Sequence, residues 1–209
     1  MNAPDKPRLI VVAGPNGAGK TSITEQLLRH EWMGGSVYVN ADFIARDEFG
    51  DWNSPDAVLK AAIRAAEVRE QCLKERRNLA FETVLSMADK VEFIQRARDA
   101  GFFVRLFFVG TDDPSINAKR VALRVMEGGH EVPIGKIIAR YTRSLANCSV
   151  AARIADRAYI YDNSVEQASA RLLFRTAEGR LIRQYGSINP WAREIAREID
   201  PEFTGGKHQ

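Results

Sequence analysis

The sequence predicts an α/β fold in which a parallel sheet of about five strands carries helices on both faces. Two observations predict it. Short apolar runs alternate with segments of helical spacing, and a glycine-rich loop joins the first apolar run to the first of those segments. That loop, residues 14–21, reads GPNGAGKT and fits the P-loop pattern G-x-x-x-x-G-K-[ST] at each fixed position. The predicted class is therefore the P-loop NTPase fold of the nucleoside and adenylate kinase-like type, with a helical lid and a C-terminal β-hairpin.

The elements follow in chain order from the apolar runs and the helix-capping residues. The predicted strands are 9–13, 36–42, 79–85, 102–110 and 158–162, and a hairpin around Gly179 covers 171–185. Helices are predicted from Thr21, from Ser54 to about Asn78, up to Ala100, from Asp113, from Pro133, and over 189–199. We expect one domain over residues 1–209, with a lid at about 111–145 and the hairpin and last helix at about 168–200.

Composition excludes several classes of protein. The net charge of +3 argues against a dedicated nucleic-acid binder, although local basic stripes remain open. Cys72 and Cys148 have no paired or metal-like spacing, which favours a reducing compartment. The first residues lack the apolar core of a signal peptide, and no run is long enough to cross a membrane. We therefore expect a cytoplasmic protein.

The P-loop predicts a nucleotide site. Its glycines let backbone N–H groups surround phosphates, and the first helix directs its positive end towards them. Lys20 would reach the outer phosphates, and the Thr21 hydroxyl would bind Mg²⁺. The predicted nucleotide-binding residues are Gly14, Pro15, Asn16, Gly17, Ala18, Gly19, Lys20, Thr21 and Ser22.

Missing motifs indicate phosphoryl transfer rather than hydrolysis coupled to motion. An LSGGQ-like signature, an apolar strand ending in Asp-Glu and an N-K-x-D guanine reader are all absent from the sequence. Transfer needs a carboxylate that takes the acceptor's proton, and Asp42 beyond the second strand is the candidate. The alternative for Asp42 is a helix N-cap. Glu82 and Thr83, in an otherwise apolar strand, are candidates for gripping the acceptor, the alternative being a solvent-facing pair at a sheet edge.

Positive charge for the migrating phosphoryl group is predicted in the lid. Arg120 and Arg124 share one helix face, and Lys136, Arg140 and Arg143 share another, on either side of the glycine hinge MEGGHEVP. We expect Arg124 to be catalytic, with Arg140 as the second candidate. The alternative is a set of solvated helix faces. His130 in the hinge is more typical of a hydrogen-bonded brace than of a proton carrier.

These motifs together resemble the zeta toxin family of P-loop kinases. The shared segments are GPNGAGKTS, the strand-end NAD, FETVLS, RVMEGGHEVP with IARYTRSL, and ADRAYIYDNS. The resemblance implies ATP and Mg²⁺ as cofactors, an antitoxin protein as a partner, and transfer to the 3′-hydroxyl of the amino sugar of UDP-N-acetylglucosamine. By position it implies Lys20, Thr21, Asp42, Glu82, Thr83 and Arg124 as functional residues.

The chain departs from the family pattern in the lid. Where plasmid-type toxins carry a second arginine after the lid turn, this chain has GGHEVP, so Arg140, Arg143 or His130 would take that place. Two further functions stay open at this point: a kinase acting on nucleic-acid ends along the basic stripe, and a nucleotide-dependent binding switch without transfer.

Overall fold

The computed structural model of the protein describes residues 6–50, 53–129 and 132–202. Seven strands are present in these ranges: β1 (Arg8–Ala13), β2 (Val37–Val39), β3 (Leu79–Thr83), β4 (Phe103–Gly110), β5 (Arg157–Asp162), β6 (Arg171–Ala177) and β7 (Arg180–Gln184). The helices are α1 (Lys20–Leu28), α2 (Ala41–Phe49), α3 (Pro55–Lys74), α4 (Ala88–Asp99), α5 (Pro114–Met126), α6 (Ile134–Ile154) and α7 (Pro190–Ile199). A short 3-10 helix covers Glu31–Met33.

All the strands belong to one sheet, in the order β2-β3-β1-β4-β5-β6-β7. The pairs from β2 to β5 are parallel, as the alternation of strands and helices predicted. The predicted hairpin exists, but β6 pairs antiparallel with β5 and extends the same sheet. The sheet therefore has seven strands rather than about five. The free edge of β5 explains the difference, because its N–H and C=O groups need partners.

Helices cover both faces of the sheet. On one face α3, α4, α6 and α7 pack against the inward side chains of β1, β3 and β4, which form the larger core. On the other face α1 and the 3-10 helix pack against Ile10, Val12 and Phe107. Strand β1 is buried on both sides, which is typical of a central parallel strand and explains its continuous apolar run.

The C-terminal helix α7 is fixed to the sheet by Trp191. Its ring is buried and lies 6.2 Å from the ring of Phe108, centroid to centroid. A Cβ atom on Gly110 would come within 2.4 Å of that ring, so only glycine allows the indole to lie this close to the end of β4. Among the helices of the described ranges, none is both long enough and apolar enough to span a bilayer.

Candidate active site

The P-loop (residues 14–21) follows β1 at the carboxyl edge of the sheet, between the ends of β3 and β4. This is the edge at which open α/β sheets bind ligands. The Lys20 side chain is half-buried, and its ammonium group donates to the carbonyl oxygens of Gly14 at 3.0 Å and Pro15 at 3.1 Å. Burial lowers the pKa of Lys20, the carboxylates of Glu82 and Asp42 partly oppose that shift, and Arg124 adds to it. Two carboxylates and an arginine thus act on the P-loop lysine.

Two glycines of the P-loop have backbone conformations and neighbours that exclude a side chain. Gly17 has φ +75°, and a Cβ there would lie 2.5 Å from the backbone oxygen of Asn117. Gly19 has φ +93°, and a Cβ there would lie 2.2 Å from Nδ2 of Asn163. The left-handed conformation and the contact each require glycine. The loop is therefore shaped by α5 on one side and by the end of β5 on the other.

Two asparagines clamp the P-loop backbone. Asn117 donates from Nδ2 to the carbonyl oxygen of Asn16 at 2.6 Å, and its own Oδ1 accepts from the Thr111 hydroxyl. Asn163 donates from Nδ2 to the carbonyl oxygen of Ala18 at 2.8 Å. These two hydrogen bonds fix the backbone conformation of the loop. Neither asparagine was predicted from the sequence as part of the site, although Asn163 directly follows a strand predicted to end at this edge.

Asp42 lies in the first turn of α2, and the cap of that helix is Asn40. The Asn40 Oδ1 accepts from the backbone N–H of Asp42 at 2.9 Å. The alternative role of Asp42 as the N-cap is therefore wrong. Its carboxylate is exposed and close enough to Lys20 to raise the pKa of that lysine. The side chain is thus placed at the carboxyl edge without being used by the helix end.

Glu82 is held by two hydroxyl groups on neighbouring elements. Its Oε1 accepts from Tyr38 Oη at 2.6 Å and from Thr24 Oγ1 at 2.8 Å. Tyr38 in turn accepts from Nδ2 of Asn40 at 3.2 Å. Burial and the Glu82 carboxylate raise the pKa of Tyr38, which keeps its hydroxyl a donor. Because β3 is an interior strand and Glu82 is hydrogen-bonded there, the alternative of a solvent-facing pair at a sheet edge is wrong.

Thr83, the last residue of β3, stabilises the loop that follows this strand. Its Oγ1 accepts from the N–H of Leu85 at 3.0 Å, and Leu85 has an uncommon positive φ of 57°. Helix α6 holds the same loop, because Ser144 donates to the carbonyl of Val84 at 2.6 Å and Asn147 to that of Leu85 at 2.9 Å. A strained residue within a loop that three hydrogen bonds fix is typical of a functional loop.

The lid arginines occupy different surroundings. Arg140 reaches the P-loop, where its Nη1 lies 3.5 Å from Oδ1 of Asn16. Arg124 is exposed at the end of α5, and its charge contributes to lowering the pKa of Lys20. Both are thus near the predicted phosphate site.

The remaining lid candidates are placed elsewhere or not described. Arg120 donates to the carbonyl oxygens of Asn163 at 2.8 Å and Val165 at 3.5 Å, so it braces the chain after β5. Arg143 donates to the carbonyl of Ala139, one turn earlier in its own helix. His130 lies outside the described residues.

The donor set at this edge suits Mg²⁺ held together with a nucleotide. In the described part of the chain, no three His, Cys, Asp or Glu side chains form a metal-binding group. Thr21 is exposed one residue after Lys20, at the start of α1. Mg²⁺ in nucleotide sites takes few protein ligands, and phosphate oxygens and water supply the others. The Thr21 hydroxyl beside the phosphate loop is therefore a candidate protein ligand for such an ion.

Asp162, the last residue of β5, belongs to the scaffold. Its Oδ1 accepts from Ser164 Oγ at 2.5 Å and lies 3.4 Å from Nε1 of Trp191. Its second oxygen lies 3.9 Å from Nη2 of Arg171. The buried carboxylate therefore links β5 to β6 and α7.

The comparisons with known proteins agree with this geometry. The Zeta toxin family profile matches residues 1–172. An uncharacterized protein of Haemophilus influenzae is 25% identical over 134 residues, which are 64% of this chain and 92% of that protein.

Two solved structures share the fold. A chain of the PezAT chromosomal toxin-antitoxin system of Streptococcus pneumoniae aligns with a TM-score of 0.57 and 19% identity, over 100% of this chain and 83% of that one. The AvrRxo1-ORF1:-ORF2 structure with ATP aligns with a TM-score of 0.65 and 16% identity, over 97% of this chain and 66% of that one. With a profile match over most of its length and the P-loop geometry described above, the chain belongs to the zeta toxin family of P-loop kinases and is a phosphotransferase.

Proposed function

We propose that the protein transfers the γ-phosphate of Mg²⁺-bound ATP to a hydroxyl group of a sugar nucleotide such as UDP-N-acetylglucosamine. The observation that supports this most is the hydrogen bond of 2.8 Å between Glu82 and Thr24, which lies one turn after Lys20 on α1, because it holds this carboxylate beside the P-loop. The Glu82 and Asp42 carboxylates both oppose the lowering of the Lys20 pKa. A kinase needs a charged phosphate clamp and a carboxylate for the acceptor at one place. Both are available at this edge of the sheet.

On the nucleotide side, the backbone N–H groups of the P-loop and Ser22 would bind the phosphates. Lys20 would exchange its two carbonyl contacts for phosphate oxygens, which offer it a full negative charge. Thr21 would hold Mg²⁺, which when bound neutralises charge on the β- and γ-phosphates. Arg124 and Arg140 would stabilise the charge that develops on the transferred group, and lid closure would exclude water.

On the acceptor side, Asp42 would orient the hydroxyl group and take its proton as the oxygen attacks phosphorus. Glu82 would bind a second polar group of the acceptor through Oε2, because its Oε1 already accepts from Tyr38 and Thr24. The Thr83 hydroxyl accepts from Leu85 and keeps its own proton for donation to the acceptor. Fixed polar groups of this kind provide orientation.

A protein partner that blocks the site is part of this proposal. PezAT is described as a toxin-antitoxin system, and AvrRxo1-ORF1 is solved as a complex with ORF2. We propose that this chain likewise binds an antitoxin protein. Co-purification with the product of a neighbouring small open reading frame, followed by loss of kinase activity, would support it.

The experiment is an acceptor panel read by mass. The purified chain is incubated with Mg²⁺ and ATP together with UDP-N-acetylglucosamine, other UDP-sugars, nucleosides and 5′-hydroxyl oligonucleotides. Asp42→Asn should retain ATP binding and lose transfer by about 10²- to 10⁴-fold, the usual contribution of a general base. Asp47→Asn is the matched control, because Asp47 is an exposed aspartate of the same helix that pairs with Arg46.

The outcomes separate the alternatives. A phosphorylated UDP-sugar that disappears in Asp42→Asn supports the proposal. A phosphorylated oligonucleotide end would show that the acceptor is a nucleic acid rather than a sugar nucleotide. Formation of ADP without any modified acceptor would favour a nucleotide-dependent binding switch. Normal transfer by Asp42→Asn would contradict the role of Asp42 as base.

A further inference from the structure

The face of the sheet that carries α1 continues over β4 to β7 as a half-open surface. Helix α1 covers the middle of this face through Ile23 and Leu27, next to Phe107. Beyond the helix, the side chains of β5 and β6 on this face are only partly buried, and those of β7 are exposed. This surface lies on the side of the sheet opposite to α6 and α7.

Strand register places two rows of side chains on this surface. Residues paired across neighbouring strands project to the same face. The register rows are Arg105, Arg157, Ala177 and Arg180, and then Phe107, Tyr159, Arg175 and Arg183. Because Phe107 packs beside α1, both rows belong to that face. We call this set, together with Trp32 and Tyr161, the arginine-aromatic face.

The aromatic members form the wall of a cleft. Phe107 and Tyr159 stack with ring centroids 4.8 Å apart and an interplanar angle of 6°. Trp32 lies 6.2 Å from each of those rings, and Tyr161 extends the wall. The cleft has a volume of about 230 Å³. Ile23, Leu27 and Leu172 also line the cleft, and Phe107 is buried. A flat ring entering the cleft would therefore meet the partly exposed rings of Trp32, Tyr159 and Tyr161 beside aliphatic side chains, and the aromatic rings favour stacking.

The arginines of the face have no acidic partners in the described part of the chain. Among the described residues, no ion pair involves any of the five arginines of this face: Arg105, Arg157, Arg175, Arg180 and Arg183. The Nε atoms of Arg105 and Arg175 are buried and have no hydrogen-bond partner among the described residues.

Burial lowers the pKa of the Arg105 guanidinium, and the charges of Arg8 and Arg157 add to this while Tyr159 opposes it. Like charges held together without counter-ions are unfavourable unless an anion neutralises them. The overall charge of +3 conceals this local excess.

This chemistry selects one kind of occupant. A second copy of the same face would bring arginines against arginines. An acidic peptide would pair with the charges but would leave the stacked rings unused. A single-stranded nucleic acid satisfies both, because its phosphates pair with arginines and its bases stack on aromatic side chains.

We propose that the arginine-aromatic face binds single-stranded nucleic acid, with phosphates along the two arginine rows and a base stacked against Tyr159 in the cleft. The surface is built from β4 to β7 and the segment after α1, so it does not depend on the proposed phosphoryl transfer. Binding at this face and catalysis at the P-loop are separate properties of the chain.

The test is fluorescence anisotropy of the full chain with labelled twelve-nucleotide oligo-dT and oligo-U at several salt concentrations. Affinity should fall with salt, and Arg157→Gln/Arg175→Gln should weaken binding at least tenfold and make the salt slope shallower by about 1.4, since two phosphate contacts are lost. Tyr159→Ala should weaken binding by about 5- to 150-fold, the range for one stacked base. Arg193→Gln/Arg197→Gln on α7 is the matched control and should bind like the parent chain.

Further variants distinguish binding at this face from misfolding and from binding at the P-loop. Arg180→Gln/Arg183→Gln changes only exposed side chains of β7 and should weaken binding even if the Arg157/Arg175 variant folds poorly. Lys20→Met should bind oligonucleotide normally, which would exclude the P-loop as the site. The arginine variants should phosphorylate the sugar nucleotide at the same rate as the parent chain. If the parent chain itself does not phosphorylate it, the proposed function is wrong, but the proposed nucleic-acid binding is not affected.

Three outcomes would overturn the proposal: no oligonucleotide binding, binding that survives all the arginine changes, or equal affinity for a poly-glutamate peptide of the same charge. The last result would indicate an acidic protein as the occupant.

Discussion

Replacing Tyr38 by phenylalanine removes one of the two hydroxyl groups that orient Glu82. The ring keeps its place, but the 2.6 Å hydrogen bond to Oε1 is lost, and Thr24 alone holds the carboxylate. A hydrogen bond to a charged group contributes about 1.5–3 kcal/mol net. If that energy is used to hold Glu82 against the acceptor, kcat/KM for the acceptor should fall by roughly 10- to 150-fold.

Steady-state kinetics distinguishes this from a general loss of structure. KM for ATP should stay within about twofold, because the phosphate-binding N–H groups belong to a loop clamped by Asn117 and Asn163 rather than by Tyr38. Tyr185→Phe, at an exposed tyrosine of the chain after β7, serves as the control. An unchanged kcat/KM for the acceptor in Tyr38→Phe would refute the argument that Glu82 must be held in this orientation.

Two further predictions concern the P-loop lysine and the last helix. Burial lowers the pKa of Lys20, and phosphate binds the charged form of the lysine, so ATP affinity should fall as the pH rises through that pKa. Glu82→Gln removes the carboxylate that most opposes the lowering of this pKa. In that variant the loss of ATP affinity should therefore begin at lower pH. Calorimetric titrations between about pH 7 and 10 would show it, and coincident curves would contradict it. Trp191→Ala should lower the free energy of unfolding by about 3–5 kcal/mol in urea, because it opens a cavity beside Phe108. Exposed Arg193→Ala should change it by less than about 0.5 kcal/mol, and a similar small change for Trp191→Ala would be inconsistent with its packing role.

The parts of the molecule that depend on local sequence were predictable. The P-loop, the start of α3 at Ser54-Pro55 and the hairpin around Gly179 each follow from residue types at short spacing, and all are present. The carboxyl-edge positions of Asp42 and Glu82 also follow from strand ends in a parallel sheet. The merging of the hairpin with the main sheet was not predictable, because it depends on whether β5 has a free edge.

The supporting contacts of the site were missed for a related reason. Tyr38 and Thr24 meet at Glu82 only because β2, β3 and α1 are adjacent in space, and no spacing in the chain reports that distance. Weak signals existed, since Thr24 lies one helical turn after Lys20 on α1. Asn117 carried no such signal, because its partner Asn16 is 101 residues away along the chain.

The asparagine clamps determine whether the P-loop octapeptide would keep its shape if it were transplanted into another protein. Gly17 and Gly19 are pressed against α5 and against Asn163, so the shape of the loop belongs to three separate stretches of the chain. The octapeptide transplanted between another strand and helix would lose both walls and would have to pay an ordering entropy on each binding event. In this protein the shape of the phosphate loop depends on contacts from α5 and from the chain after β5, and the eight residues of the motif do not determine it alone.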